Sequence, residues 1–135
     1  LLPHLSHDDG NKVDLNFIYE TPEGKLTNKK KSISGYGVFT QPKTWESNQC
    51  KYCKERGYKF YDYSKYLTFG KINQDLRFSK KWNRHLLQAI LNQSETSKIF
   101  IEPHIKKRLV LKDKRIRYQG CHSVRHDDHI HIQIE

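Results

Sequence analysis

The sequence predicts a small α+β domain built around an antiparallel sheet, on three observations. Short runs alternating apolar and polar residues recur along the chain. A helical run of apolar residues separates two of them, and 135 residues suffice for one domain but not for two ordinary ones. A chain of this length buries roughly two-thirds of its unfolded surface, so residues 1–135 can share a core without staples.

The first element is KVDLNFIYE at 12–20, an alternating run rich in strand formers and closed by the turn residues TPEGK. Residues 21–75 read as an insertion-like region of a hairpin plus long loops, dense in tyrosine and lysine. FSKKWNRHLLQAILNQS then predicts a helix. Ser79 can cap it, and Trp82, Leu86 and Ile90, with Leu87 and Leu91, form its apolar stripe. SKIFIEP at 97–103 predicts a short strand. Pro103 suits the first turn of a following helix, in which Ile105 and Leu109 lie four apart. Residues 112–122 read as a connection. The chain closes on HIHIQI from His129, a strict period of two. That period puts Ile130, Ile132 and Ile134 on one strand face and His129, His131 and Gln133 on the other.

Composition excludes some classes and leaves others open. No apolar stretch approaches the roughly 18 residues of a membrane span. There is no methionine, position 1 included, which leads us to expect a mature product with any targeting segment upstream. The net charge of +10 favours polyanionic partners. The basic residues are scattered, however, with no recognition helix, zinc-finger spacing or RNA-binding signature among them. A solvated basic surface is therefore preferred to a nucleic-acid site. The cysteines are Cys50, Cys53 and Cys121. CKYC has redox spacing, but the residues after it show no helical period, and a zinc ribbon would need a second pair. A local disulfide, or two plain buried thiols, is the reading preferred to catalysis.

Chemistry concentrates at the two ends. Six of the eight histidines lie there: His4 and His7, then His122, His126, His129 and His131. His7 and Asp14, joined by His131, would make a set of two imidazoles and a carboxylate with a fourth position open. That is the arrangement of catalytic rather than structural zinc, one ion per chain.

These residues carry a family resemblance. SHDDGNKVDL resembles the SHxxGxxVDI segment of the penicillin-insensitive murein endopeptidases, and RHDDHIHIQI resembles their HDDHFHVRL segment. KIFIEPHIKKRLV is similar to the strand and helix that precede the last motif there. The wider group includes the lysostaphin-type enzymes, the D-alanyl-D-alanine peptidases and the sonic hedgehog fold. The similarity covers about residues 4–18 and 98–135. It implies zinc on His7, Asp14 and His131, in a hedgehog-like fold whose sheet carries the site. It also implies a catalytic His129, which we expect to act as base, and a further active-site imidazole, His126, as its electrostatic partner. Asp127 and Asp128 would accept from the imidazoles and orient them. The implied activity is hydrolysis of amide bonds in peptidoglycan cross-links, in the periplasm or outside the cell. Peptidoglycan peptide is then the expected partner, with the tyrosines lining a groove for it. Two departures stand out: Asp8 and Asp9 replace neutral polar residues of the first motif, and the tyrosine-rich middle matches nothing in the family. The rival readings are a hedgehog-like zinc-binding module without turnover and a basic nucleic-acid-binding domain.

Overall fold

Two alternating strands, Lys12–Asn16 and His129–Ile134, do most to position the site. The computed structural model describes the backbone of residues 4–5 and all of residues 11–135. The predicted ligand His7, with Asp8 and Asp9, lies outside the described residues. In chain order the described elements are β1 (His4–Leu5), β2 (Lys12–Asn16), β3 (Tyr19–Glu20), β4 (Leu26–Thr27), α1 (Gln49–Glu55), a 3-10 turn (Tyr63–Tyr66), β5 (Arg77–Phe78), α2 (Lys80–Leu91), β6 (Thr96–Phe100), α3 (Pro103–Arg108), β7 (Ile116–Arg117) and β8 (His129–Ile134). The larger sheet has the order β1-β2-β8-β6-β7 and the smaller β4-β3-β5. All pairs are antiparallel except β6 with β7. The result is a small domain of mixed α and β content, as expected.

The alternation of β8 is used on both faces. Ile130 and Ile132 enter the core with Ile99, Ile101, Ile105 and Leu109, and Ile134 packs half-buried at its margin. The predicted helix forms as α2, with the Ser79 hydroxyl accepting from the Trp82 N–H at 3.2 Å. Pro103 opens α3 at the position where a missing N–H costs nothing, and Ile105 and Leu109 are fully buried.

Four expectations need correction. The run 12–20 is two strands: Phe17 turns into the core, and Tyr19 starts the smaller sheet in a hairpin whose turn is TPEGK. The face of α2 is rotated, leaving Trp82 40% exposed while Asn83 is buried. The Asn83 amide exchanges hydrogen bonds with both backbone groups of Ile18, which satisfies the polar side chain in the core. Residues 112–122 contain β7, since Ile116 is buried beside Ile99 and extends the sheet in parallel. Finally, CKYC is helical, and its disulfide is not local: Cys53 bonds Cys121, with Cys50 a free thiol.

Candidate metal centre and its surroundings

Sheet register assembles the site. Asp14 on β2 stands opposite His131 on β8, Asn16 opposite His129, and Phe100 on β6 opposite His131. Residues directly opposite in antiparallel strands share a face, so Asp14, His129, His131 and Phe100 project away from the isoleucines. Across this face His131 Nδ1 lies 2.8 Å from Asp14 Oδ1. The Tyr36 hydroxyl donates to Asp14 Oδ2 at 2.9 Å, and His129 Nε2 approaches the same oxygen at 3.8 Å. His129 Nδ1 lies 2.6 Å from Asp128 Oδ1, and Asp128 Oδ2 accepts from the Gly37 N–H at 2.8 Å. Position 37 has to be glycine: its φ is +89°, and a Cβ there would come within 2.4 Å of the Ser64 carbonyl oxygen.

His126 completes the cluster from the loop before β8. Its ring centroid is 5.0 Å from that of His129 and 5.7 Å from that of His131. All three histidines are buried, and one nitrogen from each lies within 4.8 Å of the others, close enough to serve one metal ion. Tyr36 and Phe100 close the site with rings 5.0 Å from His129 and 5.7 Å from His131.

The electrostatics set three of these groups apart. Burial works to raise Asp14, but its hydrogen bond with His131 and the charge of His129 hold it below the ordinary carboxylate value. Burial works to lower His129, but the carboxylate of Asp128, by charge and by hydrogen bond, carries it above the ordinary imidazole value. Burial, with the neighbouring His129 charge, pushes His126 down to about 3, against the weaker pull of Asp128 and Asp14. It is therefore neutral near neutrality. A neutral imidazole offers an N–H rather than a charge.

The scaffold behind these groups is itself charged. Glu102 clamps His126 by its backbone: its N–H donates to the His126 carbonyl and its Oε2 accepts from the His126 N–H, each at 3.1 Å. The Tyr61 hydroxyl donates to its other oxygen. Asp127 was expected to orient an imidazole of the cluster, but its hydrogen bonds go to Arg125 instead. Arg125 holds it through two hydrogen bonds, at 2.7 and 2.5 Å, and His104 Nε2 lies 3.4 Å away. Its geometry makes it a positioning residue for the loop, and of the two aspartates only Asp128 faces a site histidine.

Tyr36, Gly37, Glu102, His104 and Arg125 were not singled out as functional from the sequence. Only Glu102 left a signal there, as a carboxylate closing the apolar run KIFIE. The contributions of Tyr36 and Gly37 come from a stretch without periodicity and depend on contacts 22 and 91 residues away in the chain. Compared with family models, curated proteins and solved structures, the chain matches none.

Proposed function

We propose that the chain is a zinc metallopeptidase that hydrolyses amide bonds in peptidoglycan peptide cross-links outside the cytoplasm, on a hedgehog-like fold. The observation that carries this reading is the facing pair Asp14 Oδ1 and His131 Nδ1, 2.8 Å apart on the imidazole-lined face of the sheet. Two donors sharing a tetrahedral zinc stand about 3.3 Å apart at bond lengths near 2.0 Å, so this pair fits with a slight opening. A carboxylate with imidazoles is also the donor chemistry of catalytic zinc. Asp14 and His131 would hold the ion, with His7 as third ligand on the strength of the SHDDGNKVDL resemblance. The cluster of His126, His129 and His131 is the other possible donor set. Asp14 is the stronger candidate because it is charged and already on His131.

Zinc bound there would supply a Lewis acid that lowers the pKa of its water to roughly 7. The chain's own groups manage the rest. Asp128 fixes His129 by Nδ1, so Nε2 is the nitrogen that faces Asp14 and can accept a proton. Protonated His129 is then stabilised by Asp128, which suits it to return that proton to a leaving amine. His126, held neutral, can donate its N–H to an oxyanion, as a preorganised dipole in a water-poor site. The Cys53–Cys121 disulfide supports an oxidising compartment.

Purified peptidoglycan digested with and without chelator, with released fragments identified by mass, tests the reading. Chelator-sensitive release of peptide fragments is expected. Stoichiometric zinc with no fragment released would instead make this a zinc-binding interaction module.

A further inference from the structure

Outside the candidate metal centre, exposed aromatic rings gather along one groove. A groove of about 430 Å³ opens along residues 57–63 and 121–124, with Tyr58, Phe60, Tyr61, Tyr63 and His122 in its walls. Phe60 is 73% exposed and Tyr66, just beyond, 68%. The rings of Phe60, Tyr63 and Tyr66 follow one another edge to face at 6.1 and 5.7 Å, and Tyr58 meets His122 at 4.9 Å. Large exposed rings gathered in one place mark a binding surface.

The groove is rigid and joined to the candidate site. The Cys53–Cys121 disulfide pins one wall to α1. Tyr61, in the floor, accepts through its carbonyl from the Arg125 N–H at 3.0 Å. Its hydroxyl reaches Glu102, whose second oxygen holds the His126 N–H. One buried residue thus links the groove to the backbone that carries His126.

Its chemistry selects among polymers. A peptide docking by strand addition needs a free strand edge, and none of the groove's lining residues belongs to a strand. Stacking successive bases of a nucleic acid favours a run of parallel ring faces, whereas these rings meet at 71° and 68° and present their faces one at a time. What the groove offers is ring faces interleaved with the hydroxyls of Tyr58, Tyr63 and Ser123, and one cation, Lys59. The C–H face of a pyranose packs on such rings through their negative faces, while its hydroxyls take the polar groups. The stretch 51–66 that builds most of the groove has five basic residues against two acidic, in a chain of net charge +10.

We infer that this groove binds a saccharide chain of an acidic polymer, the glycan part of the one whose peptides the neighbouring centre cuts. The inference rests on the peptidoglycan reading of that centre.

Co-sedimentation with insoluble glycan strands stripped of their peptides tests it, comparing the wild-type chain with a Phe60→Ala, Tyr63→Ala variant at fixed ionic strength. Phe60 is 73% and Tyr63 45% exposed, so the thermal melt should move little, while glycan affinity should fall at least about 10-fold. Tyr58→Phe, which keeps the ring and removes one hydroxyl, should weaken binding to a smaller degree. Unchanged sedimentation of the double variant overturns the inference. So does a loss confined to single-stranded DNA, which would make the surface a nucleic-acid platform. Aromatic-dependent glycan binding in a chain that releases no peptide fragments would keep the groove and remove the peptidase. Fragment release with glycan binding indifferent to the rings would do the reverse.

Discussion

Tyr36 donates its hydroxyl to Asp14 Oδ2 at 2.9 Å, while Asp14 Oδ1 faces His131 Nδ1 at 2.8 Å. A residue from the loop region thereby fixes which oxygen of a strand carboxylate faces the candidate centre. Tyr36→Phe keeps the ring against His129 and removes only this hydrogen bond. Hydrogen bonds that orient a metal ligand are typically worth roughly 10–100-fold in affinity, so zinc binding should weaken by that order. Competition against a chelator of known affinity reads it. Unchanged affinity would mean that Asp14 is oriented by other partners.

Ile132 is 5% exposed on the face of β8 opposite the histidines. Ile132→Ala should cost about 2–5 kcal/mol, as lost burial plus the cavity left behind. A thermal melt that does not move would show that β8 contributes little to the core.

This strand was legible because its period of two is carried by residues of opposite character, histidine against isoleucine. The same holds for Ser79 and Pro103, whose capping roles are local. Register was not legible: that Asp14 would stand opposite His131 depends on strand pairing 117 residues apart. The Cys53–Cys121 bond closes a separation of 68, and spacing favours near partners, so it was missed for the same reason. The rotation of α2 toward Asn83 depends on where Ile18 offers its backbone, which hydrophobicity does not encode.

The disulfide gives a prediction of its own. Closing a loop of that length restricts the unfolded chain by about 4 kcal/mol. Replacing both Cys53 and Cys121 by alanine should therefore lower the melt sharply, while alkylation of the unreduced wild type should label one thiol, that of Cys50. Labelling of Cys121 would contradict the pairing.

Arg108 and Glu46 tie the loop that precedes α1 to α3, through hydrogen bonds of 2.5 and 3.0 Å. The Arg108 guanidinium holds the Glu46 carboxyl down to about 2, against an ordinary 4.5. A group with a depressed folded value stabilises above its unfolded value and loses that contribution as pH falls. The melting difference between wild type and Glu46→Gln should therefore be full above pH 4.5 and vanish as pH approaches about 2. A difference independent of pH would assign the effect to packing.

The last prediction separates proton handling from ligation on one strand. His129 is tied by Nδ1 to Asp128 at 2.6 Å, whereas His131 is tied by Nδ1 to Asp14 at 2.8 Å. The first pairing leaves Nε2 as a proton acceptor; the second puts a donor nitrogen on the carboxylate that would share the metal. His129→Ala should thus retain zinc while peptidoglycan cleavage falls by roughly 10²–10⁴-fold, the usual worth of a positioned acid–base group. Asp128→Asn should lower the rate in the same direction with zinc unaffected, because it removes the charge that favours protonated His129. His131→Ala and Asp14→Asn should lose the metal. Elemental analysis of the four proteins beside fragment release decides among the readings. Zinc lost on His129→Ala, and kept without Asp14, would move the metal to the cluster of His126, His129 and His131. Zinc kept and cleavage near normal in His129→Ala would pass the role of base to His126, whose buried, neutral imidazole stands 5.0 Å away between ring centroids.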